Sequence, residues 1–223
     1  MEWKELPIEN TDAWFIILVI ILALLGAVRQ SDSGAFGLLV RSFINPSLVA
    51  QQLRHERAYN RITLPILGIS VLAIAGFLSQ GSSVFELSIG SSFTSTLMLI
   101  LLGIVGLTLV RMAIYSTFSW LFQAGGLFKE HNLSWLVHAF VLSMVLIPLS
   151  ILIAFGPDAW HRALAIIGIV ALIVFYFLRV WRVITMTQRE LRTSWVYNVL
   201  YLCALEILPP ILIGVSVLRY GEA

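Results

Sequence analysis

Apolar residues along this chain fall into six long blocks parted by short polar stretches, at 13–28, 62–78, 93–122, 133–155, 160–186 and 195–218. That is neither the alternation of a half-buried strand nor the single stripe of a helix on a soluble core. The apolar cores of these blocks, about 17 to 24 residues each at ~1.5 Å per residue, suit a hydrocarbon layer of ~30 Å. A transmembrane barrel would instead show segments of about ten alternating residues. The predicted fold is all-α: a polytopic transmembrane helical bundle of six spans, forming one integral membrane domain over residues 1–223.

The polar punctuation refines these limits. Glu2, Glu5, Glu9 and Asp12 precede the first block against Lys4 alone, which is unlike the basic leader of a secretory signal and predicts an uncleaved first span. Asn45-Pro46 has the grammar of a helix start, so a short surface helix is expected over 46–61 within the loop 29–61. Pro65 should sit in the first turn of the second span. The Ser- and Gly-rich stretch 79–92 reads as an exposed connection, and Gly125-Gly126 as the end of the third span. Pro148 lies inside the fourth span, and Gly156-Pro157-Asp158 makes a tight turn into the fifth.

Composition agrees with burial in lipid. Of 223 residues, 59% are hydrophobic and 12% charged, with a mean hydropathy of +0.94; soluble domains carry about 25% charged residues. The net charge of +2 is no footprint for nucleic acid. Its distribution says more. With six spans, Lys4, Arg162 and Arg219 fall on one side and the other eleven Lys and Arg on the opposite side, so the positive-inside rule places both termini outside the cytoplasm. Trp14, Trp120, Trp135, Trp160, Trp181 and Trp195 cluster near span ends, as interfacial rings do. Cys203, the only cysteine, reads as a small buried hydrophobe.

Candidate chemistry centres on Glu206, in the middle of the last span, where an ionisable group costs about 2.5–3.5 kcal/mol to insert. Pro209 and Pro210 lack the N–H groups that would bond the carbonyls of Leu205 and Glu206, predicting a helix break beside that carboxyl. Pro148 is a second candidate break. Arg111, about 17 Å deep by residue count, stands level with Glu206, and Arg179 is the competing partner. Together the three form the expected intramembrane polar site, read either as a structural clamp or as a transport or proton-relay site. They also point to the third, fifth and sixth spans as the bundle centre, with the first two as a lipid-facing flank. Arg182, Arg189 and Arg192, with Arg54, Arg57 and Arg61, are expected to meet lipid headgroups or a protein partner. His55, His131, His138 and His161 share no common depth, which argues against bis-histidine haem. The chain carries no HExxH, P-loop or GxSxG. Neither metal nor cofactor is expected.

The string Tyr197-Asn-Val-Leu-Tyr-Leu-Cys-Ala-Leu-Glu-Ile-Leu-Pro-Pro, with Gly125-Gly-Leu-Phe and Asn45-Pro46, resembles an uncharacterised family of polytopic inner-membrane proteins from Bacteroidota, a domain of unknown function. The layout is also similar to that of Yip1-type membrane domains. The first resemblance singles out Glu206 and implies an association with cell-envelope assembly or secretion. Short loops, no catalytic motif and an ion pair that could fix helix packing point to a non-enzymatic scaffold or accessory subunit with a membrane-protein or self partner; an ionisable residue at a Pro-Pro break points instead to a small ion-coupled permease, and an intramembrane enzyme acting on lipids ranks last.

Overall fold

The computed structural model describes residues 8–31, 37, 41, 43, 56–87, 90, 92–122 and 125–191. Five helices occupy these residues: α1 (Ile8–Ser31), α2 (Glu56–Val84), α3 (Phe93–Phe122), α4 (Gly125–Phe155) and α5 (Asp158–Leu191). Each contains a segment long and apolar enough to cross a membrane, and the chain has the architecture of an integral membrane protein. The sixth block, 195–218, lies outside the described residues.

Local chemistry sets the helix ends. Ser92 and Ser95 form a reciprocal cap at the start of α3: the Ser95 N–H donates to Ser92 Oγ at 3.3 Å, and the Ser92 N–H to Ser95 Oγ at 2.9 Å. Both satisfy donors that a helix start leaves open. At the end of α2, Glu86 adopts a φ of 56°. Leu87 N–H then reaches back to the Ser82 carbonyl at 2.8 Å and Glu86 N–H to Ser83 at 3.3 Å, the paired bonds that close a helix through a left-handed residue. Asp158 opens α5 with a negative charge at its N-terminal dipole.

The first six residues of the connection expected over 79–92 continue α2 as far as Val84. Ser79, Gln80 and Ser82 are buried in the last turns of α2. The hydroxyls of Ser79 and Ser82 return to carbonyls three residues back, at 3.0 and 2.8 Å, so both hydroxyls are satisfied without water. Gly125-Gly126 begins α4 instead of ending α3 in a longer loop. Pro65 falls well inside α2, because that helix already starts at Glu56 and absorbs the last residues of the expected surface helix. Residues 46–55 lie outside the described set. α4 runs uninterrupted through Pro148.

Among the described helices, α2 and α4 hold the centre in place of α3 and α5, while the expected third member, 195–218, lies outside the described residues. α2 touches all four other helices, most extensively α4, and α4 in turn packs along α5. In the spanning windows, 56% of α2 and 44% of α4 are buried, against 22% of α1, 11% of α5 and 6% of α3. The expectation weighted the cost of inserting charges; the packing follows small residues, which let helix axes approach where lipid supplies no hydrophobic drive. Trp14 fills the notch at Gly76, and Phe77 lies against Gly168. Beyond the notch, Trp14 Nε1 donates to the Ser150 carbonyl at 3.1 Å, and Gln80 Nε2 donates to the same oxygen at 3.2 Å. One carbonyl thus joins α1, α2 and α4.

Gly76→Ala and Gly168→Ala would drive a Cβ into the Trp14 and Phe77 rings. Each should lower stability in detergent by about 1–3 kcal/mol. Gly103, with nothing within 4 Å of a built Cβ, is the control: Gly103→Ala should be neutral or stabilising by up to about 1 kcal/mol. Thermal or denaturant unfolding of purified protein measures all three.

Candidate functional site

The tight turn at 156–157 makes α4 and α5 antiparallel, so the start of α4 lies beside the end of α5. His138 and Phe175 stand about equally far from that turn. Around them gathers a cluster of cations and aromatic rings.

On α4, His138 is buried, and its Nδ1–H donates to the Ser134 carbonyl at 2.7 Å. A carbonyl only accepts, so this bond fixes the proton on Nδ1 in the neutral ring. On α5, Phe175, Arg179 and Arg182 follow at spacings of four and three and share one helix face. Both guanidinium groups lie within electrostatic reach of His138. Arg182 also donates from Nη1 to the Phe43 carbonyl at 3.2 Å.

Phe43 belongs to the stretch that connects α1 to α2, and it enters between the two helices. Its ring meets His138 edge-on at 5.1 Å and stacks on Phe175 at 5.7 Å between centroids. A residue from the connection therefore covers His138 and is held there by two rings and one backbone bond. On α3, Arg111 lies over the Trp135 ring at 5.2 Å from its centroid, a geometry in which the ring face attracts the cation.

Arg111, Arg179 and Arg182 all belong to this end of the bundle. Among the described residues no three His, Cys, Asp or Glu side chains are grouped to hold a metal ion. Glu206, Pro209, Pro210, Arg54 and Arg192 lie outside the described residues; Arg57, Arg61 and Arg189 lie in α2 and α5, with their side chains outside the described set. Pro148 is placed near the opposite end, two residues before Ser150. Sequence reasoning missed Phe43 and the role of His138. The depth match between His138 and Phe175 was a usable signal for the histidine, whereas nothing in local periodicity pointed to Phe43.

The Phe43 contact makes a quantitative prediction. Phe43→Ala and Phe175→Ala should each destabilise the protein, and a double-mutant cycle should return a coupling of about 0.5–1.5 kcal/mol. Additive effects would mean that the two rings do not interact in the folded protein.

No functionally curated protein and no solved structure matches this chain. A family model described as a domain of unknown function (DUF4271) matches residues 14–217, most of the chain. The chain belongs to that family.

Proposed function

We propose that this protein is a non-enzymatic scaffold or accessory subunit of a bacterial inner membrane, working in cell-envelope assembly or secretion. In this reading 195–218 forms a sixth span, both termini face away from the cytoplasm, and the basic end of the bundle is cytoplasmic. Glu206 supplies a counter-charge to Arg111 or Arg179. Arg182, Arg189, Arg192, Arg54, Arg57 and Arg61 face lipid headgroups or a membrane-protein partner, which includes a second copy of the chain.

One observation carries the preference for a scaffold: the buried polar groups fasten helices together. Trp14 and Gln80 meet on the Ser150 carbonyl, and Arg182 holds Phe43. Such bonds stabilise one arrangement of helices. The alternative is a small ion-coupled permease. It is favoured by the gathering of Arg179 and Arg182 around a buried histidine, since ionisable groups at membrane depth commonly mark a pathway.

Arg111→Met and Glu206→Gln, expressed in the native membrane, should reduce folded yield or the recovery of a co-purifying partner severalfold. Normal accumulation with an unchanged set of partners overturns the scaffold reading. Reconstituted into proteoliposomes, the wild-type chain should show neither solute flux nor proton coupling. Flux that Glu206→Gln abolishes would establish the permease.

A further inference from the structure

Gln80 and Ser150 meet across the α2–α4 contact through the bond from Gln80 Nε2 to the Ser150 carbonyl. That bond leaves two polar atoms over. Gln80 Oε1 and Ser150 Oγ are buried without a hydrogen-bond partner among the described residues, in side chains that are 7% and 0% exposed. Their neighbours behave differently. Ser70, Ser79, Ser82 and Ser143 each return the hydroxyl to a carbonyl three or four residues back. Two unmet polar atoms on bonded residues are a conspicuous cost in a buried site, and native proteins meet such atoms with protein groups or ordered water.

The chemistry of the two atoms selects the guest. Gln80 Oε1 only accepts, while Ser150 Oγ can donate or accept. The guest must therefore carry at least one donor hydrogen. A metal cation is disfavoured, because the N–H groups of Trp14 and Gln80 already converge on the nearby carbonyl and present positive dipole ends there. An anion would face the amide oxygen as a second acceptor. A small neutral molecule that donates and accepts fits both atoms.

We propose that one water molecule is bound at the junction of α1, α2 and α4, donating to Gln80 Oε1 and hydrogen-bonded to Ser150 Oγ, as a component of the fold. It completes the polar junction that the Ser150 carbonyl begins. The proposal is independent of the scaffold reading, since either a scaffold or a permease can contain it.

X-ray radiolytic labelling of the purified full chain, read by mass spectrometry, tests this directly. Radicals generated from a bound water oxidise the side chains beside it. Trp14, only 2% exposed, should therefore be labelled severalfold faster than the equally buried Phe140, once each rate is normalised for intrinsic reactivity. Labelling should fall in Ser150→Ala and Gln80→Met. Thermal unfolding gives a second readout with opposite signs for the two cases. Ser150→Ala should lower Tm by about 2–4 °C when it removes a partner of the water, whereas deletion of an unmet hydroxyl would raise it. A rise in Tm, or a Trp14 as inert as Phe140 in the wild-type protein, overturns the proposal. Should either variant fail to fold, the wild-type labelling ratio decides alone.

Discussion

Lipid offers no hydrogen-bond partner, so every polar group that a spanning helix buries has to be met inside the protein. The Ser150 carbonyl is where this constraint acts most strongly. It receives Trp14 from the start of α1 and Gln80 from the last turns of α2. Those three positions can share one level only if α1 runs opposite to both α2 and α4. The two bonds therefore fix relative depth as well as contact. Close packing reinforces them, because the Trp14 ring reaches Ser150 by lying in the space that Gly76 leaves open. Dispersion and hydrogen bonding supply the specificity that hydrophobic burial supplies in water.

The opposite end of the bundle follows a different electrostatic logic. There the donors are guanidinium groups, and the side chains around them are Phe43, Trp135, His138 and Phe175. Arginine suits such a place: its charge is delocalised, it faces an aromatic ring, and it can donate to a carbonyl without leaving the membrane boundary. The Arg182 bond to Phe43 uses a backbone acceptor from a connecting segment to brace the ends of two helices. Neutral bonds deep in one end and charged bonds near the other divide the bundle along its length.

Much of this plan was legible in the pattern of apolar residues, and the failures have specific causes. α3 was bounded correctly, because its flanks change sharply from Ser-rich to apolar and back. The start of the stretch after Leu78, residues 79–84, reads as loop and is helix, because hydropathy scores serine and glutamine as wet. A serine that bonds its own helix, as Ser79 and Ser82 do, is compatible with burial. Among the described helices the centre lies on α2 and α4 and not on α3 and α5, for a related reason. Charge cost indicates which residues need a partner, while the small residues Ala73, Ala75 and Gly76 indicate which helix others can approach. At the candidate site, depth counting singled out Arg111 and Arg179 as partners for Glu206, which lies outside the described residues. It could not place Phe43, because a connecting segment has no depth until the chain has folded back.

The positions of the aromatic rings bear on function more than the charges do. A solute moving between α1, α2 and α4 would meet Trp14, seated at Gly76 and bonded to Ser150. One moving between α4 and α5 at the basic end would meet Phe43, seated between His138 and Phe175. Both rings are anchored by a hydrogen bond, from Trp14 Nε1 in the first case and to the Phe43 carbonyl in the second. Transport by either path would require an anchored ring to leave its seat and the freed polar groups to be met again. Fastening needs no such motion. The same contacts that would obstruct a pathway hold helices in one arrangement, which is what the proposed scaffold role needs.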